Sequence, residues 1–226
     1  KNEYVNMEAD LQIKNYDGDH YYMWDAEKQY WEGYEWNKGG SQPTINQGYP
    51  GATTSNNYAK SNTDLRYYNE IFPGNGISNP ATHTSFNNIP NANEMSWYCM
   101  YGDPRWDADE LWTTMGHLYK GGMWFKKKSV LQAEGHYDTE KSADNTTDLR
   151  TTYKYYNNSN SSINNLGLPS AADANKYFYL PALGACYDSG VLKSVGYFGK
   201  YWSSTADSWG GYNAYYLKFS TDGVYV

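Results

Sequence analysis

The chain has 226 residues, enough to bury a substantial core as one large domain or two small ones. A net charge of −7 and an isoelectric point near 5.0 exclude binding to nucleic acid through phosphates, because such binding needs a basic face. No apolar run approaches the roughly 20 residues needed to cross a bilayer, so no transmembrane segment is predicted. The mean hydropathy of −0.88 is typical of disorder, but 18% of the residues are aromatic and 26 are tyrosines, whose large rings can be buried. This composition predicts a folded protein, and its richness in Tyr, Ser, Gly and Asn is typical of recognition surfaces.

The first 90 residues contain few signals for regular structure. Aromatic and polar residues alternate in 1–36, and Asp17-Gly18 between alternating stretches predicts a hairpin. Residues 37–90 are rich in Gly, Pro, Asn, Ser and Thr, which predicts long ordered loops. We expect 1–90 to be an elaboration of a single domain spanning 1–226, with helices and a C-terminal β core in 91–226.

A first helix is predicted within 91–102. Asn91 is a good N-cap, Glu94 occupies the capping-box position, and Gly102 ends the helix. Its apolar face at helical spacing consists of Met95, Tyr98 and Cys99.

A second helix is predicted from the same signals in "DADELWTTMGHLYKGG". Asp107 would cap it, Glu110 would complete the capping box, and Gly121 and Gly122 would end it. Its predicted buried stripe consists of Leu111, Met115, Leu118 and Tyr119. A strand over "MWFKKKSVL" and a polar stretch over 133–165 follow, with the lysines of 126–128 expected on a solvated strand edge.

The last third of the chain is predicted to consist of strands and turns. "YFYLPAL" is a strand stopped by Pro181, and "KYWSST" is another. "AYYLKFSTDGVYV" is a hairpin in which Asp222-Gly223 would be the two-residue turn and Phe219 would face Val226.

Alternation along this hairpin separates its side chains into two faces. The predicted core face consists of Tyr215, Leu217, Phe219 and Val226. The predicted outward face consists of Ala214, Tyr216, Lys218, Ser220 and Tyr225. The outward face is thus a mixture of aromatic and polar groups.

Several of these segments resemble one family. "YFYLPALG", "VGYFGKYWSST" and "NAYYLKFSTDGVYV", with the upstream "NEMSWYCMYGDPRWDADELWTTMGHLYKGGMWFKKK", are similar to the major-paralogous-domain (FISUMP-type) proteins of gut bacterial surfaces. The resemblance implies an α+β, C-type-lectin-like fold of the formylglycine-generating-enzyme subtype, with two helices packed on small antiparallel sheets. It also implies an exported, fimbrillin-related or adhesin-like protein of the outer cell surface that binds an unidentified protein or glycan without a cofactor.

The resemblance also implies a set of ligand-binding positions. Similar tails occur in variable proteins diversified by retroelements, where the C-terminal segment displays varied side chains. On that analogy the display positions are Ala206, Asp207, Trp209, Tyr212, Ala214, Tyr216, Lys218, Ser220 and Tyr225. The alternatives are a receptor-binding protein of a phage or secreted system, an oxidase of the formylglycine-generating type, and an ordinary exposed sheet face with aromatic cross-strand pairs.

The remaining candidate groups favour structural roles. Cys99 and Cys186 could form a redox or copper pair, but Cys99 lies on an apolar helix face, and a disulfide between the two stays open. The acidic cluster of Asp103, Asp107, Asp109 and Glu110 is assigned mainly to helix capping. The four histidines have no metal-ligand spacing. The sequence therefore predicts no catalytic or metal site.

Overall fold

The computed structural model describes residues 13–16, 63, 81–82, 87–114, 117–159, 163, 167–186, 192–207 and 213–226. These residues form an α+β structure, in agreement with the predicted class. The helices are α1 (Ala92–Tyr101) and α2 (Lys128–Ala133), and Ala174–Lys176 form a 3-10 turn. The strands are β1 (Lys14–Asn15), β2 (Arg105–Thr114), β3 (His117–Lys126), β4 (Asn157–Asn158), β5 (Tyr177–Pro181), β6 (Ala185–Cys186), β7 (Leu192–Lys193), β8 (Phe198–Ala206), β9 (Ala214–Ser220) and β10 (Gly223–Tyr225). The hairpin predicted at Asp17-Gly18 and most of the predicted loops lie outside the described residues.

The strands form three sheets. The first has the order β1-β2-β3-β5, with β1 parallel to β2 and the other neighbours antiparallel. The second is antiparallel with the order β4-β10-β9-β8, and the third is the short pair β6-β7. The second sheet therefore contains both strands of the C-terminal hairpin and β8.

Helix α1 begins and ends where the sequence predicts. The Asn91 side chain accepts from the Glu94 amide at 2.9 Å, and the Glu94 carboxylate accepts from the Asn91 amide at 2.8 Å. The Gly102 amide donates to the Tyr98 carbonyl at the other end. Met95 and Cys99 are completely buried, and Tyr98 is 3% exposed. The predicted cap and apolar face of this helix are confirmed.

The second predicted helix is wrong, because residues 105–114 form β2 and pair with β3 in a long hairpin. Leu111 and Leu118 are 38% and 57% exposed, so neither belongs to the core. Trp112 and Thr114 are the completely buried residues of β2, and Tyr119 packs against the core from a partly buried position. Met115 lies outside the described residues.

The physical reason for the error lies in the Asp107 carboxylate. It accepts from the amides of Asp109 and Glu110, both at 3.0 Å, which are the bonds that a helix N-cap makes. Here the same bonds close a bulge, since the pairing register of β2 with β3 shifts between Asp107 and Leu111. Asp107 and Glu110 therefore belong to a strand irregularity and not to a helix start.

The glycines assigned to the end of that helix lie within β3. Gly121 has a φ of 96°, which favours glycine, and it lies opposite the bulge. At Gly122 an added Cβ would lie 2.5 Å from the backbone carbonyl oxygen of Leu180, so the close approach of β5 requires glycine there.

The lysine run is also placed differently from the prediction. Strand β3 ends at Lys126, whose ammonium lies 2.7 Å from the Glu134 carboxylate, and Lys128 already belongs to α2. Because β3 lies between β2 and β5, these lysines do not form a sheet edge.

The core lies where α1 and the two larger sheets meet. Phe125 of β3 makes an edge contact with Phe219 of β9, with the ring centroids 5.7 Å apart, and Tyr201 of β8 stacks on the same Phe219 ring. Helix α1 is attached to the second sheet by the Ala92 amide, which donates to the Thr205 hydroxyl at 2.9 Å. The inner face of the second sheet is thereby packed against the core, which leaves its outer face on the other side of the sheet.

Candidate functional site

The C-terminal hairpin is present, with its turn one residue earlier than predicted. Gly223 pairs with Ser220, so Thr221 and Asp222 form the turn, and Phe219 faces Val224 and not Val226. Gly223 has a φ of 150°, which requires glycine directly after the turn. Moving the turn by one residue shifts each cross-strand partner by two positions, which leaves every side chain on its original face.

The two predicted faces of the hairpin are confirmed. Tyr215, Leu217, Phe219 and Val226 are buried, with exposed fractions of 6%, 0%, 0% and 7%. The side chains predicted to point outward are all half-buried: Ala214, Tyr216, Lys218, Ser220 and Tyr225.

The outward face of the second sheet carries two rows of aromatic and lysine side chains. In one row Trp202 of β8 lies opposite Tyr216 of β9, and the two rings meet edge to face at 5.7 Å. In the other row Lys200 of β8 lies opposite Lys218 of β9, and Lys218 lies opposite Tyr225 of β10. The Lys200 ammonium is 3.8 Å from the centroid of the Tyr216 ring, so a cation–π contact joins the rows.

This face forms the floor of a groove of about 570 Å³. We call it the tyrosine groove, and it is lined by Tyr153, Lys154, Tyr155, Lys200, Trp202, Asp207, Asn213, Ala214, Tyr215, Tyr216, Lys218, Tyr225 and Val226.

Residues 153–155 supply the second wall of the tyrosine groove. The backbone groups of Tyr156 and Val226 exchange two hydrogen bonds of 2.9 and 3.0 Å, and the pairing continues from β4 to β10. Tyr153 and Tyr155 are 51% and 53% exposed, and their rings lie 6.2 and 6.4 Å from those of Tyr215 and Tyr225. The groove is therefore bounded by tyrosines on both sides.

The charges in the tyrosine groove are mostly positive, with three lysines and one aspartate among the lining residues. The Lys154 ammonium lies 2.6 Å from the Asp144 carboxylate, so its charge is balanced. Burial, together with the nearby Lys218, lowers the pKa of Lys200. Asp207 is 8% exposed, and its amide donates to the Asn213 carbonyl at the end of the groove.

The structure brings together only some of the predicted display positions. Those that line the groove are Asp207, Ala214, Tyr216, Lys218 and Tyr225. Ala206 is 7% exposed and therefore hardly available to a ligand, and Ser220 lies on the outward face beyond the groove lining. Trp209 and Tyr212 lie outside the described residues.

Sequence reasoning missed six groove residues outside the hairpin: Tyr153, Lys154, Tyr155, Lys200, Trp202 and Asn213. A signal was present, since the tyrosines of "TYKY" and the Lys and Trp of "KYW" alternate with the two-residue period of a strand. No signal in the sequence indicated that the segment containing these tyrosines pairs with the C-terminal strand.

The other candidate groups have structural roles in the described residues. Cys99 is a free, completely buried thiol that donates to the Val224 carbonyl at 3.3 Å, so it forms no disulfide. Burial raises the pKa of Cys99 to about 12, although a hydrogen bond from the Asn158 backbone has a smaller, lowering effect. The raised pKa keeps the thiol protonated. Asp103 pairs with Arg105 at 2.9 Å, and Asp107 accepts from the Trp124 indole at 3.0 Å. The Cys186 side chain lies outside the described part of the chain.

Within the described ranges, no group of three or more His, Cys, Asp or Glu side chains could hold a metal ion. None of the helices described there has the length and apolar character needed to cross a membrane. Comparisons with protein families, with curated proteins and with solved structures found no match.

Proposed function

We propose that this protein is a ligand-binding or adhesion module of a bacterial cell surface and that the tyrosine groove is its binding site. The observation that carries the proposal is the concentration of five accessible aromatic side chains around one open groove: Tyr153, Tyr155, Trp202, Tyr216 and Tyr225. Aromatic side chains exposed together typically mark interaction sites on soluble proteins. The ligand is a protein or a glycan.

The construction of the groove supports binding. Its floor is a sheet whose inner face is packed against the core through Leu217 and Phe219, both completely buried. Side chains on such a platform lose little conformational freedom when a ligand binds, so few contacts can supply most of the affinity. A rigid aromatic surface is the arrangement that recognition proteins use.

We propose further that the fold is C-type-lectin-like and that the chain belongs with the FISUMP-type surface proteins. The α+β architecture and the antiparallel second sheet are compatible with that fold. The segments that carry the resemblance include "KYWSST" and "AYYLKFS", which lie in the neighbouring strands β8 and β9. An oxidase of the formylglycine-generating type is less favoured, because such chemistry needs a thiolate and Cys99 is a buried, protonated thiol.

Arrays of glycans and of proteins, probed with the wild-type chain and with groove variants, test the proposal. We expect Tyr216→Ala and Tyr225→Ala each to weaken binding of an array ligand by about 1 kcal/mol or more, the loss typical of a central aromatic contact. Tyr197→Ala is the matched control, because Tyr197 is 77% exposed and lies outside the groove lining. A ligand whose affinity is unchanged by both groove substitutions would place binding elsewhere and refute the proposal.

A further inference from the structure

Two lysines face each other directly across the floor of the tyrosine groove. Lys200 of β8 and Lys218 of β9 are register partners, and both are half-buried. Like charges at directly opposite positions of a sheet destabilise it. The repulsion within such a pair is offset either by a carboxylate of the protein or by an anion that binds from outside.

The described residues provide no carboxylate for this pair. Their ion pairs involve other lysines and arginines, and neither Lys200 nor Lys218 lies within 4 Å of an acidic group there. The third lysine of the groove shows the contrast, because Lys154 is paired with Asp144 at 2.6 Å. An acidic chain of net charge −7 thus keeps two positive charges together in its groove.

Aromatic rings hold both ammonium groups on the sheet. The Lys200 ammonium lies 3.8 Å from the centroid of the Tyr216 ring. The Lys218 ammonium lies 5.6 Å from the centroid of Phe198 and 5.9 Å from that of Tyr225. These contacts favour the cations but leave donor hydrogens for an anion, since a ring face occupies only one side of an ammonium.

The rest of the groove lining indicates what kind of molecule the anionic group belongs to. Six lining side chains are aromatic, and only Ala214 and Val226 are aliphatic. The negative faces of aromatic rings attract the polarised C–H bonds on the flat side of a pyranose. Asn213, which is exposed in the groove lining, has a side-chain amide that hydrogen-bonds with hydroxyls.

We infer that the tyrosine groove binds an acidic saccharide, with a ring carboxylate bound at the Lys200–Lys218 pair and the sugar ring against the neighbouring aromatic side chains. This inference rests on the proposed function, since it assumes that the groove is the ligand site. A carboxylate bound at this pair offsets the repulsion between the two lysines by attraction.

A panel of uronic-acid oligosaccharides and their methyl esters tests the inference by calorimetric titration. The galacturonate, glucuronate and mannuronate members each have an ester that keeps the ring and removes the charge. We expect at least one acid to bind, its ester to bind about tenfold or more weakly, and Lys200→Met and Lys218→Met each to cost a similar factor, as for a lost charge-assisted hydrogen bond. Lys120→Met is the matched control, because it removes one charge from an exposed lysine of β3 whose ammonium lies 3.4 Å from Asp109.

Several outcomes would overturn the inference. They are the failure of every acid to bind, equal binding of acid and ester, unchanged affinity in both lysine variants, and tighter lysine-dependent binding of oligoglutamate than of any saccharide. The proposed function is tested separately, by the arrays. If a neutral glycan or a protein binds the wild-type chain and Tyr216→Ala abolishes that binding, the groove remains the binding site and only the inference of an acidic ligand is refuted.

A second measurement needs no ligand. If the lysine pair is uncompensated, Lys218→Met should raise the melting temperature relative to wild type at low ionic strength. That gain should shrink near 1 M NaCl, where the screening length is about 3 Å. A variant that loses more stability at low salt than at high salt would show that the Lys218 charge is already balanced within the protein, which contradicts the inference.

Discussion

Neighbouring side chains of β9 have different roles because successive residues of a strand point to opposite faces. Leu217 is completely buried beneath the sheet, whereas Tyr216 lies half-buried in the tyrosine groove. We expect Leu217→Ala to lower the free energy of unfolding by about 2–5 kcal/mol, since it removes buried methyl groups and leaves a cavity. Tyr216→Ala should cost about 1 kcal/mol or less, because it removes mainly its contacts with Trp202 and Lys200.

Urea denaturation of the two variants measures this difference. Unfolding of the protein by Tyr216→Ala, or wild-type stability in Leu217→Ala, would contradict the assignment of the faces. The comparison is sharp because both substitutions lie in one strand and share its backbone.

A second prediction at the scale of single residues concerns Asp148. Hydrogen bonds to Asp148 lower its pKa below the usual range, against the opposing effect of burial. The largest contribution comes from the Arg150 guanidinium, and the side-chain amide of Asn93 makes a smaller one. A carboxyl group with a lower pKa in the folded state stabilises the fold above its unfolded pKa of about 3.9 and loses that contribution as the pH falls. Asp148→Asn should therefore be less stable than wild type at pH 5–7, and the difference should shrink as the pH falls below about 4.

Denaturation curves collected from pH 7 to pH 2 measure this linkage. Asp222→Asn provides the control, since it removes one carboxylate that is exposed in the hairpin turn. A stability difference for Asp148→Asn that stays constant down to pH 2 would show that the ion pair with Arg150 is not its cause.

At the scale of elements, the bulge of β2 shows why one capping pattern can indicate two structures. An aspartate that accepts from the amides two and three residues ahead can begin a helix or close an irregular turn. The choice is made by the partner strand, because β3 pairs with β2 on both sides of the bulge. No local pattern contains that information.

We predict that the bulge depends on Asp107. Asp107→Ala removes the acceptor for two backbone amides and for the Trp124 indole, and we expect a loss of about 1–3 kcal/mol in the free energy of unfolding. Asp109→Ala, at a side chain that is 90% exposed, should change stability by less than about 0.5 kcal/mol. Equal effects of the two substitutions in denaturant titrations would refute this role of Asp107.

The elements that the sequence predicts well are those specified by local chemistry. Helix α1 has its cap, its stop and its apolar face within 91–102, and β5 ends at Pro181. The alternation of β9 assigned its faces correctly even though the turn was misplaced, because each partner shifted by two positions. The second wall of the groove could not be predicted, since Tyr153 and Tyr155 meet the hairpin only through pairing between distant segments of the chain.

At the scale of the whole molecule, α1 joins the two larger sheets. The Tyr98 ring meets Phe178 of β5 edge to face at 5.7 Å. On the other side the Cys99 thiol donates to the Val224 carbonyl of β10, and the side-chain amide of Asn158 in β4 donates to the Cys99 carbonyl. Opening either contact exposes core surface of the opposite sheet, so we expect these elements to unfold together.

Alkylation of Cys99 tests that cooperativity. The thiol is completely buried, and burial raises its pKa to about 12, so iodoacetamide should react only after α1 separates from the second sheet. We expect the labelling rate, followed by peptide mass spectrometry to separate Cys99 from Cys186, to give the same free energy as global unfolding. Leu217→Ala should accelerate labelling by about 30-fold or more, the factor that corresponds to a loss of 2 kcal/mol. Labelling of Cys99 in native protein at a rate insensitive to Leu217→Ala would mean that α1 opens locally and that the two sheets are not one cooperative unit.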